Sequence, residues 1–429
     1  MLNMNNAFFN MKKTLLLSLV FALFSGSLLA QNNTGTPYSM YGIGLLQDNY
    51  GPYTAMGGVS AAMRDATNIN FLNPASYTAL DSNRFYIQFG ITGEFVNIST
   101  HQERTNYRVA QNASLNMALR LYKNLYSSFG FNQRSDIGYD LHYYKLINGS
   151  ENEYYNQQVS GSGGLNDFYI GLAYKFGKFS VGLNTSLVFG NLEKRLSLVP
   201  VVMDSYYIST QNKISVHDVI FNLGLQYMFT LSSKSNLTLG ASMNFGSKLG
   251  GKRTFRAYKI NSTTSGQQTL DNELLSRGYI TYPFRIVGGF SYDYKDKWNL
   301  AGDYTYQRMS QYEEFGENQE FQDYHKGSLG VSLLPARYGR YWWQRNKYIL
   351  GTYAVRSQIR LNHTNINTYA LTLGTQIPVY IPNRELLLGI AFDFGVRGTE
   401  ANGLIRENFG KIRINIAFKE GWFMKRKID

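Results

Sequence analysis

The sequence predicts an all-β fold: a transmembrane antiparallel β-barrel of about fourteen strands with a non-strand N-terminal segment. Three observations lead there. From residue 84 onward apolar side chains recur at every second position, the period of a strand with one apolar and one polar face. The runs reach ten residues or more, the length a tilted strand needs to cross a bilayer, whereas strands of soluble sandwiches run to about five or six. The links between runs alternate short and long, as periplasmic turns and outer loops do.

Composition agrees. In 429 residues, mean hydropathy is −0.29, too low for a bundle of membrane helices, while 15% of residues are aromatic and tyrosine reaches 34. The absence of cysteine excludes a disulfide framework, a thiolate metal site, a cysteine nucleophile and a lipoprotein anchor.

Residues 1–30 form a signal peptide by pattern. Lys12 and Lys13 precede an apolar core from Thr14 to Phe24, then small residues and a cleavage point at Ala30. The apolar run is too short to span a membrane. The sequence thus places the chain in the cell outer membrane, exported through a cleaved signal.

Residues 31–83 lack sustained alternation. They carry Gly42, Gly44, Gly51, Gly57 and Gly58, then Ala61-Ala62-Met63-Arg64-Asp65, then Asn73-Pro74-Ala75. About fifty residues are too many for a simple lead-in. The segment is either a periplasmic tail or a plug folded up into the lumen, and its small residues favour packing in a confined space. A lumen inside fourteen strands would stay open unless something filled it.

The barrel is expected over 84–419, with a basic periplasmic tail at 420–429. Phe85, Ile87, Phe89 and Ile91 share one face of the first strand; Phe168, Ile170, Leu172 and Tyr174 repeat the pattern, as do Phe221, Leu223, Leu225 and Tyr227, and at the end Ile412, Ile414, Ile416 and Phe418. Arg120, Asp136, Arg285, Asp293, Asp303, Asp393, Arg397 and Arg413 fall on the opposite parity, the lumen side. Short links near 122–125, 176–179, 230–236, 294–298 and 379–385 alternate with long ones near 99–107, 146–155, 196–213, 258–277, 310–320 and 398–407. Two links depart: 335–347 is long for a turn, and 362–366 is short for an outer loop. Tyr122, Tyr126, Tyr143, Tyr144, Tyr282, Tyr294, Trp298, Trp342, Trp343 and Trp422 gather near strand ends, at the level of an aromatic girdle.

Ala55-Met56-Gly57-Gly58-Val59, then Asp65, Asn68 and Asn73-Pro74-Ala75, resemble the hatch of FadL-type hydrophobic-compound channels. Pro283 to Ser310 is similar to a late strand pair of that family. The opening Tyr38-Ser39-Met40-Tyr41-Gly42-Ile43-Gly44 and the basic end after Trp422 resemble its Bacteroidota branch. The resemblance implies a barrel with a luminal hatch, in which Gly57, Gly58, Asp65, Asn73, Pro74 and Ala75 are hatch residues. It implies inward transport of long-chain fatty acids or other apolar molecules. The chain departs from the pattern in carrying eleven residues beyond Phe418.

Sideways exit of an apolar solute needs a break in the sheet at bilayer depth. On the third strand Phe129 and Phe131 face outward, and Gln133 and Ser135 hold the same parity before Ile137, Tyr139 and Leu141 resume it. Gln133, Ser135, Asp136 and Gly138 are therefore the candidate lateral gate, read as a bulge or kink. FadL-type channels have such a kink in the third strand.

No enzyme is expected. His101, His142, His217, His325 and His363 are scattered without metal-ligand spacing. Gly246-x4-Gly251-Lys252 resembles a phosphate loop, but Arg253 replaces the Ser/Thr and no helix follows. Asp293 and Asp303 read as charge lining a wet lumen. No cofactor is implied. Expected partners are outer-membrane lipids and lipopolysaccharide, and a hydrophobic small-molecule ligand. The net charge of +13 is spread through turns and gives no nucleic-acid site. The alternative function is an accessory barrel subunit of an outer-membrane secretion or barrel-assembly complex, which some Bacteroidota relatives imply.

Overall fold

The computed structural model describes residues 35–46, 51–101, 103–146, 153–201, 206–261, 266–270, 274–381 and 384–421. The signal segment at 1–30 and the end of the basic tail, 422–429, lie outside the described residues.

Fourteen antiparallel strands form the wall: β1 (Arg84–Ser99), β2 (Arg104–Tyr122), β3 (Leu125–Gln133, resumed at Ser135–Leu146), β4 (Tyr154–Phe176), β5 (Phe179–Pro200), β6 (Tyr206–Ser232), β7 (Ser235–Asn244, resumed at Ser247–Asn261), β8 (Leu274–Tyr282, resumed at Arg285–Tyr294), β9 (Trp298–Gln307), β10 (Tyr324–Leu333), β11 (Lys347–Leu361), β12 (Thr364–Ile381), β13 (Arg384–Gly398) and β14 (Arg406–Gly421). Each pairs with its neighbour in sequence. β14 returns to β1 in unbroken register from Gly421 opposite Arg84 to Arg406 opposite Ser99, which closes the barrel.

Alternation translates directly into faces. On β4, Phe168, Ile170, Leu172 and Tyr174 are exposed on the outside, while Asp167, Tyr169 and Ala173 are buried inside. The outward apolar row from Phe168 to Phe176 has the nine-residue span of a tilted transmembrane strand. Ring pairs Tyr174–Phe176 and Tyr227–Phe229, with centroids 4.5 Å apart in each, mark the turn-side edge of that belt. Such a belt, around a polar interior, is the exterior of a membrane barrel. No helix among the described residues is long and apolar enough to cross a membrane; the strands do the crossing.

The two departing links have physical reasons. Asn362 and His363 both have positive φ (47° and 59°), the backbone of a two-residue hairpin turn that suits the sheet's twist. The long turn after β10 holds a short helix, Trp342–Arg345. The loop after β9 folds inward over the lumen: Arg253 stacks on Phe315 at 4.5 Å and pairs with Glu314 at 3.4 Å and Glu317 at 3.7 Å.

Candidate functional site

Two structures meet in the lumen, a packed segment and an opening in the wall. Residues 51–83 build two 3-10 helices, Gly51–Met56 and Pro74–Ala79, joined by turns and bends and held by inward side chains of the wall. Asn73 caps the helix Pro74–Ala79 by accepting from the Ala75 amide at 3.1 Å. Its amide nitrogen donates to the carbonyls of Ala61 (2.5 Å) and Ala241 (3.2 Å), tying the turn to itself and to β7. Gly224 and Gly182 sit against this turn: a Cβ at Gly224 would strike Asn73 Oδ1, and one at Gly182 the Pro74 backbone. On the far wall Gly330 and Gly351 make room for Met56 and Gly57 in the same way. Gly57 has φ of +71°, donates its amide to Thr372 Oγ1 at 3.0 Å, and leaves no space for a side chain beside the Thr352 carbonyl.

Charged groups of the wall hold the same segment. Asp303 accepts the amides of Ser60 (2.5 Å) and Ala61 (2.8 Å), so this luminal carboxylate is an anchor. Arg64 donates to Gln226 (2.8 Å), Thr78 (2.9 Å) and Ser180 (3.2 Å), and burial lowers its pKa to about 10. Asp65 accepts from the Thr67 amide (2.8 Å) and the Asn68 side chain (2.9 Å), and lies 3.8 Å from Lys347. Burial pushes its pKa up, but Lys347 and these hydrogen bonds outweigh that and hold it below the ordinary value. Gly57, Gly58, Asp65, Asn73, Pro74 and Ala75 thus all lie in this luminal segment.

The opening lies between β2 and β3. The two strands pair from Tyr122 opposite Leu125 up to Leu115 opposite Phe131 and, among the described residues, no further. Above that level β2 continues against β1 alone, and β3 against β4. The cause is an extra residue. Gln133 pairs Asn166 and Ile137 pairs Gly163, so four steps on β3 oppose three on β4. β2 carries its own insertion, with three steps from Gln111 to Ser114 opposing two from Thr92 to Gly90. Each insertion bends its strand and disrupts the ladder, and the two strands part.

The insertion also inverts the faces of β3, because one added residue exchanges the sides of all that follow. Below it, Leu125, Phe129 and Phe131 are the less buried parity; above it, Ser135 (0% exposed), Ile137 and Tyr139 turn inward. The expectation that Ser135, Ile137, Tyr139 and Leu141 continue the lipid-facing row is therefore corrected. Arg134, at the insertion, reaches inward to Asp167 at 2.9 Å. Ser135 Oγ accepts the Leu165 amide at 3.2 Å, and Gln133 donates to Asp136 at 3.0 Å.

Residues 35–46 cover the opening from inside. Leu45 and Leu46 pair with Asp136 and Ser135 as a short strand. Ser39 Oγ accepts the Gly138 amide at 3.1 Å and donates to its carbonyl at 3.2 Å. Ile43 packs with Ile137, Tyr139 and Leu165. The same segment is tied to the wall by Thr36, whose hydroxyl donates to Glu407, and by Tyr38, whose hydroxyl donates to the Ile405 carbonyl. Glu407 is buried against Arg397 at 2.8 Å; Arg397 in turn lies 3.6 Å from Glu94, and Glu94 lies 3.3 Å from Lys411. Burial, with the nearby Glu407 charge, raises the Tyr38 pKa.

Gln133, Ser135, Asp136 and Gly138, the residues expected from the sequence as a gate, lie along this part of β3, and Ser135, Asp136 and Gly138 touch the segment 35–46. Sequence reasoning missed Arg134, Ser39, Ile43 and the Thr36–Glu407–Arg397 chain. One signal was available: Gly163-Gly164 interrupts β4 opposite the insertion, with φ of 109° and 154°. A luminal cavity beside the insertion, lined by Arg134, Asp167, Asn184, Asn222, Tyr282 and Arg285 among others, measures about 40 Å³. That is room for a few waters but not for a long apolar chain.

Fold and site define a closed, fourteen-stranded antiparallel β-barrel with part of its own N-terminal segment packed in the lumen. In sequence the chain belongs to the BamG family, which matches residues 11–429. No curated protein matches it in sequence. Several solved structures share the architecture. The Ralstonia pickettii toluene transporter TbuX is 15% identical, with 87% of this chain and 99% of that one covered and a TM-score of 0.55. The P. putida toluene transporter TodX is 16% identical, with 88% and 100% covered and a TM-score of 0.56. A Pseudomonas aeruginosa FadL homologue is 9% identical, with 88% and 99% covered and a TM-score of 0.58. At such identities the likeness is one of fold.

Proposed function

We propose that the chain passes apolar compounds of the long-chain fatty-acid kind across a Bacteroidota outer membrane, through a barrel whose 31–83 segment acts as its hatch. The solute leaves sideways, between β2 and β3, into the bilayer. The observation that carries this reading is the missing pairing above Leu115 and Phe131, at the top of the apolar belt. An apolar molecule released there never meets water. In the present conformation residues 35–46 close the opening, so transport requires their displacement. Solved neighbours described as toluene transporters and a monoaromatic hydrocarbon channel support the reading at the level of fold.

A second reading is favoured by other observations. Membership of the BamG family, together with a small polar cavity in a tightly packed lumen, supports an accessory barrel subunit of an outer-membrane secretion or barrel-assembly complex. Purification from the native membrane in mild detergent, followed by mass spectrometry of bound lipids and co-purifying proteins, separates the two. A lone barrel with bound fatty acid supports transport. A stoichiometric complex with an empty barrel supports the accessory role.

A further inference from the structure

Above the lipid belt the wall carries an unfinished ladder. In a strand the N–H and C=O of one residue point to the same side, and those of the next residue to the other. Ser39 Oγ meets both the amide and the carbonyl of Gly138, so the backbone groups of Gly138 point away from β4. The carbonyl of Ser135 points toward β4, where a Cβ at Gly164 would strike it. By the same parity, Asp140, His142 and Tyr144 turn their N–H and C=O away from β4, toward β2. Tyr139, Leu141 and Tyr143 turn theirs to β4, with which the stretch from Ile137 to Leu146 is paired throughout.

The lower part of this edge is taken by the chain itself, through Leu45 opposite Asp136 and Ser39 on Gly138. The edge therefore accepts an added extended segment. Above Gly138, no strand among the described residues pairs with its free side. Facing it, β2 from Arg104 to Val109 pairs with β1 alone. Hardly any Cα atom of β2 comes within 8 Å of the upper part of β3, whereas paired strands lie about 4.8 Å apart. Two rows of backbone donors and acceptors thus face a gap too wide to join them.

The level of the gap explains why it is tolerated. Phe131 pairs with Phe168, the uppermost exposed ring of the β4 belt row. At about 3.3 Å per residue and a tilt near 40°, His142 stands about 25 Å above that ring. Water reaches unpaired backbone there, as it could not in the hydrocarbon layer. Free edges are ordinarily protected by proline or a bulge. The stretch from Ser135 to Leu146 has no proline, and its register with β4 is unbroken from Ile137 onward. Asp140, His142 and Tyr144 are all exposed.

We propose that a strand of another protein completes this ladder, paired with the backbone of Asp140, His142 and Tyr144 on β3. The inference rests on the second reading above, and names the surface and the mode of recognition. An extended polypeptide is what a regular row of amides and carbonyls selects; a lipid headgroup has no matching repeat. A second copy of this chain does not serve, because in one membrane its β3 runs in the same direction and cannot pair antiparallel with this one. Toward the lumen the added strand meets the cluster of Ile43, Tyr139 and Leu141, and on its outer face Asp140 and His142. It is therefore a strand that alternates apolar and polar residues.

The test places the photocrosslinker p-benzoylphenylalanine at Tyr144 of the full chain in its native membrane, with products read by mass spectrometry. Irradiation is expected to join this position to one segment of a single other polypeptide. His142→Pro removes an N–H from the free edge and spares the ladder to β4, a place where an edge strand tolerates proline. It should lower the crosslinked yield at least tenfold, while His142→Ala, which keeps the backbone donor, stays within twofold of wild type. Retained heat-modifiable mobility on gels checks that both variants fold. Equal yield from His142→Pro and wild type, equal loss in both variants, or crosslinks to lipid alone would each overturn the proposal. If a stoichiometric complex still co-purifies in those cases, the second reading survives without it. A lone barrel with no co-purifying protein would overturn both.

Discussion

The lumen holds two stretches of the same N-terminal segment, and they are fastened in different ways. Residues 51–79 are seated by close approach: backbone lies against wall glycines at 182, 224, 330 and 351, and Asn73 is spent on carbonyls. Residues 35–46 are held by a two-residue strand pairing, a few hydroxyls and the buried side chains of Tyr38 and Ile43, with close backbone approach at Gly35 and Gly44 alone. Close packing has no intermediate position, because any shift costs every contact together. Hydrogen bonds can be exchanged for water one at a time, at about 1 kcal/mol each. On the proposed function, 51–79 is the fixed part of the hatch and 35–46 the part expected to leave the opening.

The contrast can be broken at its strongest point first. Gly224→Leu drives a side chain into Asn73 and Pro74, and should cost about 3 kcal/mol or prevent assembly, seen as loss of the heat-modifiable barrel band. Asn73→Ala removes a cap and two donated hydrogen bonds. It should lower stability by about 2 kcal/mol in denaturant unfolding of the detergent-solubilised protein.

At the other stretch the effects should be smaller and local. Thr36→Val removes the hydroxyl that donates to Glu407 and accepts the Tyr38 amide. Stability should fall by about 1 kcal/mol, while amide exchange quickens roughly fivefold in 35–46 and stays unchanged in 51–79. Equal quickening in both would abolish the distinction.

The smallest effect concerns Asp65. Its folded pKa lies below the ordinary value of 3.8, so its stabilisation is complete above that value and is lost as pH falls through the folded pKa. Melting temperatures of wild type and Asp65→Asn should differ at pH 7 and converge on acidification below the carboxylate range. A gap that stays constant with pH would show that the charge of Asp65 contributes nothing.

The barrel was legible because alternation is a local property: Phe168 to Tyr174 and Ile412 to Phe418 declare their faces without reference to anything distant. Asn73-Pro74-Ala75 was picked out only through its resemblance to a family motif, although the cap it forms, a cap residue followed by proline, is a local signal. The face inversion on β3 was not. A single inserted residue leaves alternation intact on each side of Arg134, and only the pairing with β4 shows which parity lies inside. The tie from Thr36 to Glu407 was beyond reach for another reason. It joins residues 371 positions apart, and no spacing rule connects a lone threonine to a glutamate at that separation.

The central claim is that residues 35–46 must leave the opening for an apolar solute to pass. The chain has no cysteine, so a pair introduced as Leu45→Cys and Asp136→Cys, directly opposite in the short strand pairing, forms without competition. Uptake of a fluorescent long-chain fatty acid by cells expressing this variant is the direct measurement. The account predicts that oxidation abolishes uptake and that a reductant restores it to the level of the single variants. Uptake unchanged by a fully formed disulfide would contradict it.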